Sequence, residues 1–73
     1  MQDRTGEVYE WLEHGEIFVI VSHDFTRKNM VYWKCLVLKE STKLTIDPPG
    51  TLCTFNEEWF SSANYRYSMR RLA

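Results

Sequence analysis

One run of eight residues, Val31-Tyr32-Trp33-Lys34-Cys35-Leu36-Val37-Leu38, constrains this chain more than any other. It is short for a helix, and its Val, Tyr and Trp suit a pleated surface better than a helical one. Lys34 is its only charged residue, so both faces are apolar. That is expected of a strand covered on two sides, or of one curled through a closed barrel. Residues 16–22 are apolar on both faces as well, and the two runs are expected to pair at the middle of one sheet.

Shorter elements surround this pair. Residues 1–5 form a polar lead-in that is expected to be loosely held. Gly6 opens a first strand over residues 7–13, with Val8 and Leu12 on one face and Tyr9 and Trp11 on the other. Glu13-His14-Gly15-Glu16 reads as a tight hairpin, because Gly15 takes a positive φ without steric cost; His14 then sits at an exposed tip. Residues 22–29 are polar apart from Phe25 and read as a loop of about eight residues, longer than a hairpin needs.

Beyond the central run, Leu44-Thr45-Ile46 is a short fourth strand, broken by Asp47-Pro48-Pro49-Gly50. An extended piece, residues 51–55, leads to Asn56, a good N-cap, with Glu57 and Glu58 at the positive end of a helix start. Residues 57–63 therefore read as a short helical turn. Trp59 and Phe60 are adjacent and cannot both face inward, so one plugs the barrel and the other is half exposed. Residues 65–72 alternate cleanly, with Tyr65, Tyr67 and Met69 opposite Arg66, Ser68 and Arg70, as a closing strand would.

Seventy-three residues make one domain, assigned to residues 6–73. The chain is 44% hydrophobic and 15% aromatic, which excludes a disordered class. So small a core cannot hide eleven aromatics completely, so some must be partly exposed. Net charge is −1 but unevenly spread. Residues 1–24 carry six acids against Arg4, whereas Arg66, Arg70 and Arg71 near the other end face no acid in their segment. Cross-strand pairing of Glu7 or Glu10 with Arg66 or Arg70 explains this most simply. Cys35 and Cys53 lie in separate strands without paired spacing and read as buried thiols of a cytoplasmic protein; only their Cα separation decides whether they can bridge. The polar first residues lack the apolar stretch of a secretion signal, and no run is long enough to span a membrane.

The expected class is mainly β: a small barrel of about five antiparallel strands with one short helical turn before the last. This order resembles an SH3-like barrel. The layout of Gly6-Glu7-Val8-Tyr9, Phe18-Val19-Ile20, Val31-Tyr32-Trp33 and Phe55-Asn56-Glu57-Glu58-Trp59-Phe60 is similar to small uncharacterised proteins of phages and bacteria. An OB-fold is the structural rival. The Ala-Leu-Tyr-Asp-Tyr-like start and the Trp-Trp pair of peptide-binding SH3 domains are missing. A faint likeness of residues 16–22 to the apolar strand of MazF-type ribonuclease toxins lacks the preceding Arg-Pro.

Motifs of catalysis are absent: no phosphate loop, nucleophile elbow or metal-binding helix occurs. His14, His23, Cys35 and Cys53 lack zinc spacing, and Ser22-His23-Asp24 are adjacent, whereas a triad converges from separate elements. The chain is therefore expected to be non-enzymatic, with no cofactor, metal or small-molecule substrate. Two readings follow. One is a protein-interaction module, a phage or bacterial accessory or regulatory protein that docks on a partner or self-associates through Tyr9, Trp11, Trp59, Tyr65 and Tyr67. The alternative is nucleic-acid binding by stacking aromatics beside Arg27, Lys28, Arg66, Arg70 and Arg71.

Overall fold

The Val31-to-Leu38 run forms the inner part of a ten-residue strand that is paired along both edges. The computed structural model describes residues 3–41, 48–60 and 69–73. Five antiparallel strands make one sheet: β1 (Val8–Trp11), β2 (Glu16–Arg27), β3 (Met30–Lys39), β4 (Leu52–Asn56) and β5 (Met69–Arg71). Their spatial order is β4-β3-β2-β1-β5, so the first four follow one another and β5 returns to the free side of β1. A 3₁₀ turn, Glu57–Trp59, lies between β4 and β5. The fold is thus the mainly β, SH3-like layout expected from the sequence, with its helical turn before the last strand.

β3 is apolar on both faces because it separates the core from a second apolar surface. Trp33, Cys35 and Val37 point inward and are essentially inaccessible, while Lys34 and Leu36 between them are half-buried on the outer face. The core joins Trp33 and Cys35 to Tyr9, Phe18, Ile20 and Phe60. Phe60, and not Trp59, plugs the interior: its ring meets Tyr9 edge-on at 4.7 Å and Phe18 at 6.0 Å. The residue that ends the 3₁₀ turn thereby covers the inner faces of β1 and β2.

Several expected boundaries move. Residues 22–29 are not a long loop. β2 continues to Arg27 and β3 starts at Met30, joined only by Lys28 and Asn29, whose φ angles of 52° and 64° are those of a type I′ hairpin turn. The polar residues there stand in a two-stranded ribbon that reaches past β1, where one face needs no apolar cover. Three register shifts against β3, at Ile17/Phe18, Ile20/Ser22 and His23/Phe25, let the twelve-residue β2 bend round the core.

β1 is shorter than expected, and its connection to β2 turns through Gly15 at φ 69°. His14 is half-buried against Trp11, with ring centroids 4.1 Å apart, and does not stand out at an exposed tip. The extended piece after the Pro-Pro-Gly break is itself β4. Asn56 caps the 3₁₀ turn as expected, its side chain accepting the Glu58 N–H at 3.0 Å. The expected strand at residues 44–46, the end of the helical turn and the first part of the closing strand lie outside the described residues.

On the outer face, register places one aliphatic residue from each of β1, β2, β3 and β4 in a row, and Leu72, just past the end of β5, extends it. Val8 pairs with Val19, Val19 with Leu36, and Leu36 with Leu52. Beyond Val8, the Leu72 N–H donates to the Val8 carbonyl at 2.7 Å, continuing the β1–β5 ladder. The ends of the row, Leu72 and Leu52, are 45% and 58% exposed.

Candidate functional site

The lead-in is anchored by Arg4, which in sequence is a lone countercharge among the acids of residues 1–24. Glu7 donates its N–H to the Arg4 carbonyl at 3.0 Å, and Gly6 at φ 92° completes the turn that folds Arg4 back over the barrel. There the Arg4 guanidinium grips Glu57 in a fork: Nε lies 2.8 Å from both carboxylate oxygens and Nη2 2.6 Å from Oε2. Its Nη1 donates to Glu7 at 3.1 Å and to the Tyr9 hydroxyl at 3.2 Å. Glu57 also accepts the Trp33 indole N–H at 2.9 Å, so the one polar atom of the most deeply buried Trp is satisfied. Five residues from four separate parts of the chain are thus locked at one corner.

Electrostatics at this corner favour fixed charges. Burial pushes the Glu57 carboxyl up, but the Arg4 fork and the Trp33 N–H outweigh it and hold its pKa below the usual carboxylate range. Arg4 is raised further above its already high value by Glu57. Burial pushes the Tyr9 phenol up to about 12, helped by the Glu7 carboxylate to which its hydroxyl donates at 2.6 Å. Arg4, Tyr9 and Glu57 therefore keep their charge states near neutral pH, and the cluster acts as a structural clasp.

Of the expected partner-binding residues, Tyr9 is 4% exposed and belongs to the core and the clasp, not to a surface. Strand alternation correctly put Tyr9 and Trp11 on one face, but that face is the interior. Trp11 and Trp59 are half-buried and meet edge-on, with centroids 5.1 Å apart, and Phe55 also meets Trp59 edge-on at 5.1 Å. These rings form a wall at the rim of the core. Tyr65 and Tyr67 lie outside the described residues.

The basic candidates divide into two groups that do not converge. Arg70 pairs with Glu10, its strand neighbour across the β1–β5 ladder, and Arg71 lies 3.6 Å from Glu7. Cross-strand compensation therefore accounts for both. Arg27 and Lys28 are exposed at the β2–β3 hairpin, and no ion pair reaches them among the described residues. Behind them Phe25 and Tyr32 stack face to face at 4.4 Å, with Phe25 43% exposed. Arg71 stands across β1 from Phe18, and Arg27 lies nine positions further along β2, two of them bulged, so the two basic groups stand roughly 25 Å apart along the strand. Arg66 is outside the described residues.

Sequence reasoning missed the aliphatic row and the clasp. The row was signalled by the second apolar face of β3, but finding its members required the register of all five strands. Among the described residues no group of three His, Cys, Asp or Glu side chains is placed to hold a metal ion, and no helix is long and apolar enough to cross a membrane. Comparison with known protein families, with curated proteins and with solved structures found no match.

Proposed function

We propose that this chain is a small protein-interaction module without catalytic activity, a cytoplasmic accessory or regulatory protein of the phage or bacterial kind its layout resembles. The observation that supports this reading is the outer aliphatic row Leu72-Val8-Val19-Leu36-Leu52, with exposed Leu38 and Val21 on the strands beside its centre. Contiguous apolar surface across a whole sheet is uncommon on a monomer and marks contact surfaces. The half-buried Trp11 and Trp59 add a second aromatic edge of the kind enriched at interface centres.

Affinity capture with the wild type, Leu52→Lys, Trp59→Ala and Arg70→Ala tests the reading. A protein retained by wild type and Arg70→Ala but lost with Leu52→Lys supports docking through the row. Capture that survives Leu52→Lys and Trp59→Ala alike overturns it. Sedimentation of the purified chain over a range of concentrations separates self-association from a foreign partner.

A second reading, nucleic-acid binding, is favoured by the stacked Phe25 and Tyr32 behind Arg27 and Lys28. Aromatic faces with adjacent cations suit single strands, where stacking contributes about 1–3 kcal/mol per base. Titration of fluorescent single-stranded DNA and RNA at two salt concentrations decides it. Binding that weakens steeply with salt and is lost in Arg27→Ala/Lys28→Ala supports this reading; no binding at low salt removes it.

A further inference from the structure

We propose that Cys35 and Cys53 form a redox modification site, oxidised by a low-molecular-weight disulfide to a reversible bridge between β3 and β4. The two residues are register partners on adjacent antiparallel strands and are not joined by a disulfide in this structure. The Val37 N–H donates to the Thr51 carbonyl at 2.9 Å. Alternation then makes Cys35–Cys53 a hydrogen-bonded pair too, with Cα atoms about 5.5 Å apart. Disulfides span about 4.4–6.8 Å between Cα atoms, so the backbone already has the required separation.

Both side chains take the inner face. Cys35 is fully buried in the core, and Cys53 packs against it while remaining half-buried. Each thiol now donates to a carbonyl at 3.8 Å, Cys35 to that of Trp33 and Cys53 to that of Cys35. Rotation about the two Cα–Cβ bonds turns the sulfurs toward each other. Directly opposed Cβ atoms on paired strands are about 4.5–5.5 Å apart, wider than the roughly 3.8 Å of a relaxed bridge. The strands must draw together, and strained bridges of this kind belong to the labile, readily reduced class.

The more accessible Cys53 reacts first. Its thiolate attacks one sulfur of the small disulfide, that S–S bond breaks, and one small thiolate leaves with the bonding pair. Cys35 then gives up its proton to solvent and attacks the Cys53 sulfur, expelling the second small thiolate. The protein loses two electrons and two protons, and the small disulfide becomes two thiols. Burial pushes the Cys35 thiol up to about 12, with Cys53 adding to the shift, so the second step waits for β4 to loosen at the sheet edge.

The test is incubation of the full chain with oxidised glutathione, then unfolding in urea with iodoacetamide and intact-mass measurement. The expected product is a monomer lighter than the reduced protein by two hydrogens, with neither cysteine alkylated, and restored by dithiothreitol. Cys35→Ser is expected to stop at a glutathione adduct on Cys53. Two alkylated cysteines, a lasting adduct on the wild type, or a disulfide-linked dimer would overturn the proposal. The wild-type mass decides on its own should the variant fail to fold.

Discussion

Among the described residues, the arginines beside aromatic rings at the clasp and at the β2–β3 hairpin are used in opposite ways. At the clasp, Arg4 is almost enclosed, forked onto Glu57 and bonded to Glu7 and Tyr9. At the hairpin, Arg27 and Lys28 extend into solvent beside the Phe25–Tyr32 stack. The first arrangement devotes its charge to holding the lead-in, β1, β3 and the 3₁₀ turn together, while the second leaves charge and ring faces available. Residue type therefore says little about which cations of a small barrel can meet a partner. The carboxylates that the fold brings to them decide it.

Substitution at the two places should separate them most. Glu57→Ala removes the acceptor of the Arg4 fork and of the Trp33 N–H and is expected to cost about 1.5–3 kcal/mol, the usual worth of hydrogen bonds to a charged group. The double change Arg27→Ala/Lys28→Ala should stay within about 0.5 kcal/mol, as surface substitutions do. Urea midpoints at unchanged m-value measure both. Equal losses at the two places would erase the distinction.

A smaller effect follows from pH. The folded Glu57 carboxyl titrates below its unfolded value, so the stability it contributes is fully present above about pH 4.3 and is lost as pH falls through the folded value. Wild type should lose more stability than Glu57→Gln between pH 5 and 2.5, and the two urea curves should converge in acid. Parallel curves would show that the clasp carboxylate contributes nothing through its charge.

The smallest effect concerns the hairpin. Lys28 takes a left-handed φ that a non-glycine residue pays for, and Asn29 shares it. Replacing the pair by Asn-Gly, Lys28→Asn with Asn29→Gly, should add about 0.5–1 kcal/mol. Thermal or urea melting checks this, and a loss would show that the turn is not held in the I′ form.

Much of the fold was legible because it depended on neighbours in sequence. The pairing of β2 with β3, the Gly15 turn, the Asn56 cap and the division of labour between Trp59 and Phe60 follow from local patterns. The cross-strand match of Glu10 with Arg70 followed from a strand-neighbour rule. Residues 22–29 misled because this part of β2 runs past β1 and is largely exposed, so its composition resembles that of a loop although it pairs with β3 throughout. Tyr9 misled because β1 has apolar residues on both faces, and alternation alone does not say which side is inside. Arg4 and Glu57 stand fifty-three positions apart, beyond the reach of any local rule.

The register shifts of β2 bear on how this sequence can change length over evolution. At two of them β2 carries an extra residue with no partner on β3, Val21 in one case and Asp24 in the other. Losing one of these residues smooths the ladder and leaves every flanking side chain on its present face. Losing Val19 instead would exchange the inner and outer faces of one side of the strand and put Phe18 or Ile20 into water. The long strand therefore has built-in places where single codons can be gained or lost, and drift in length among related chains should gather at those two positions.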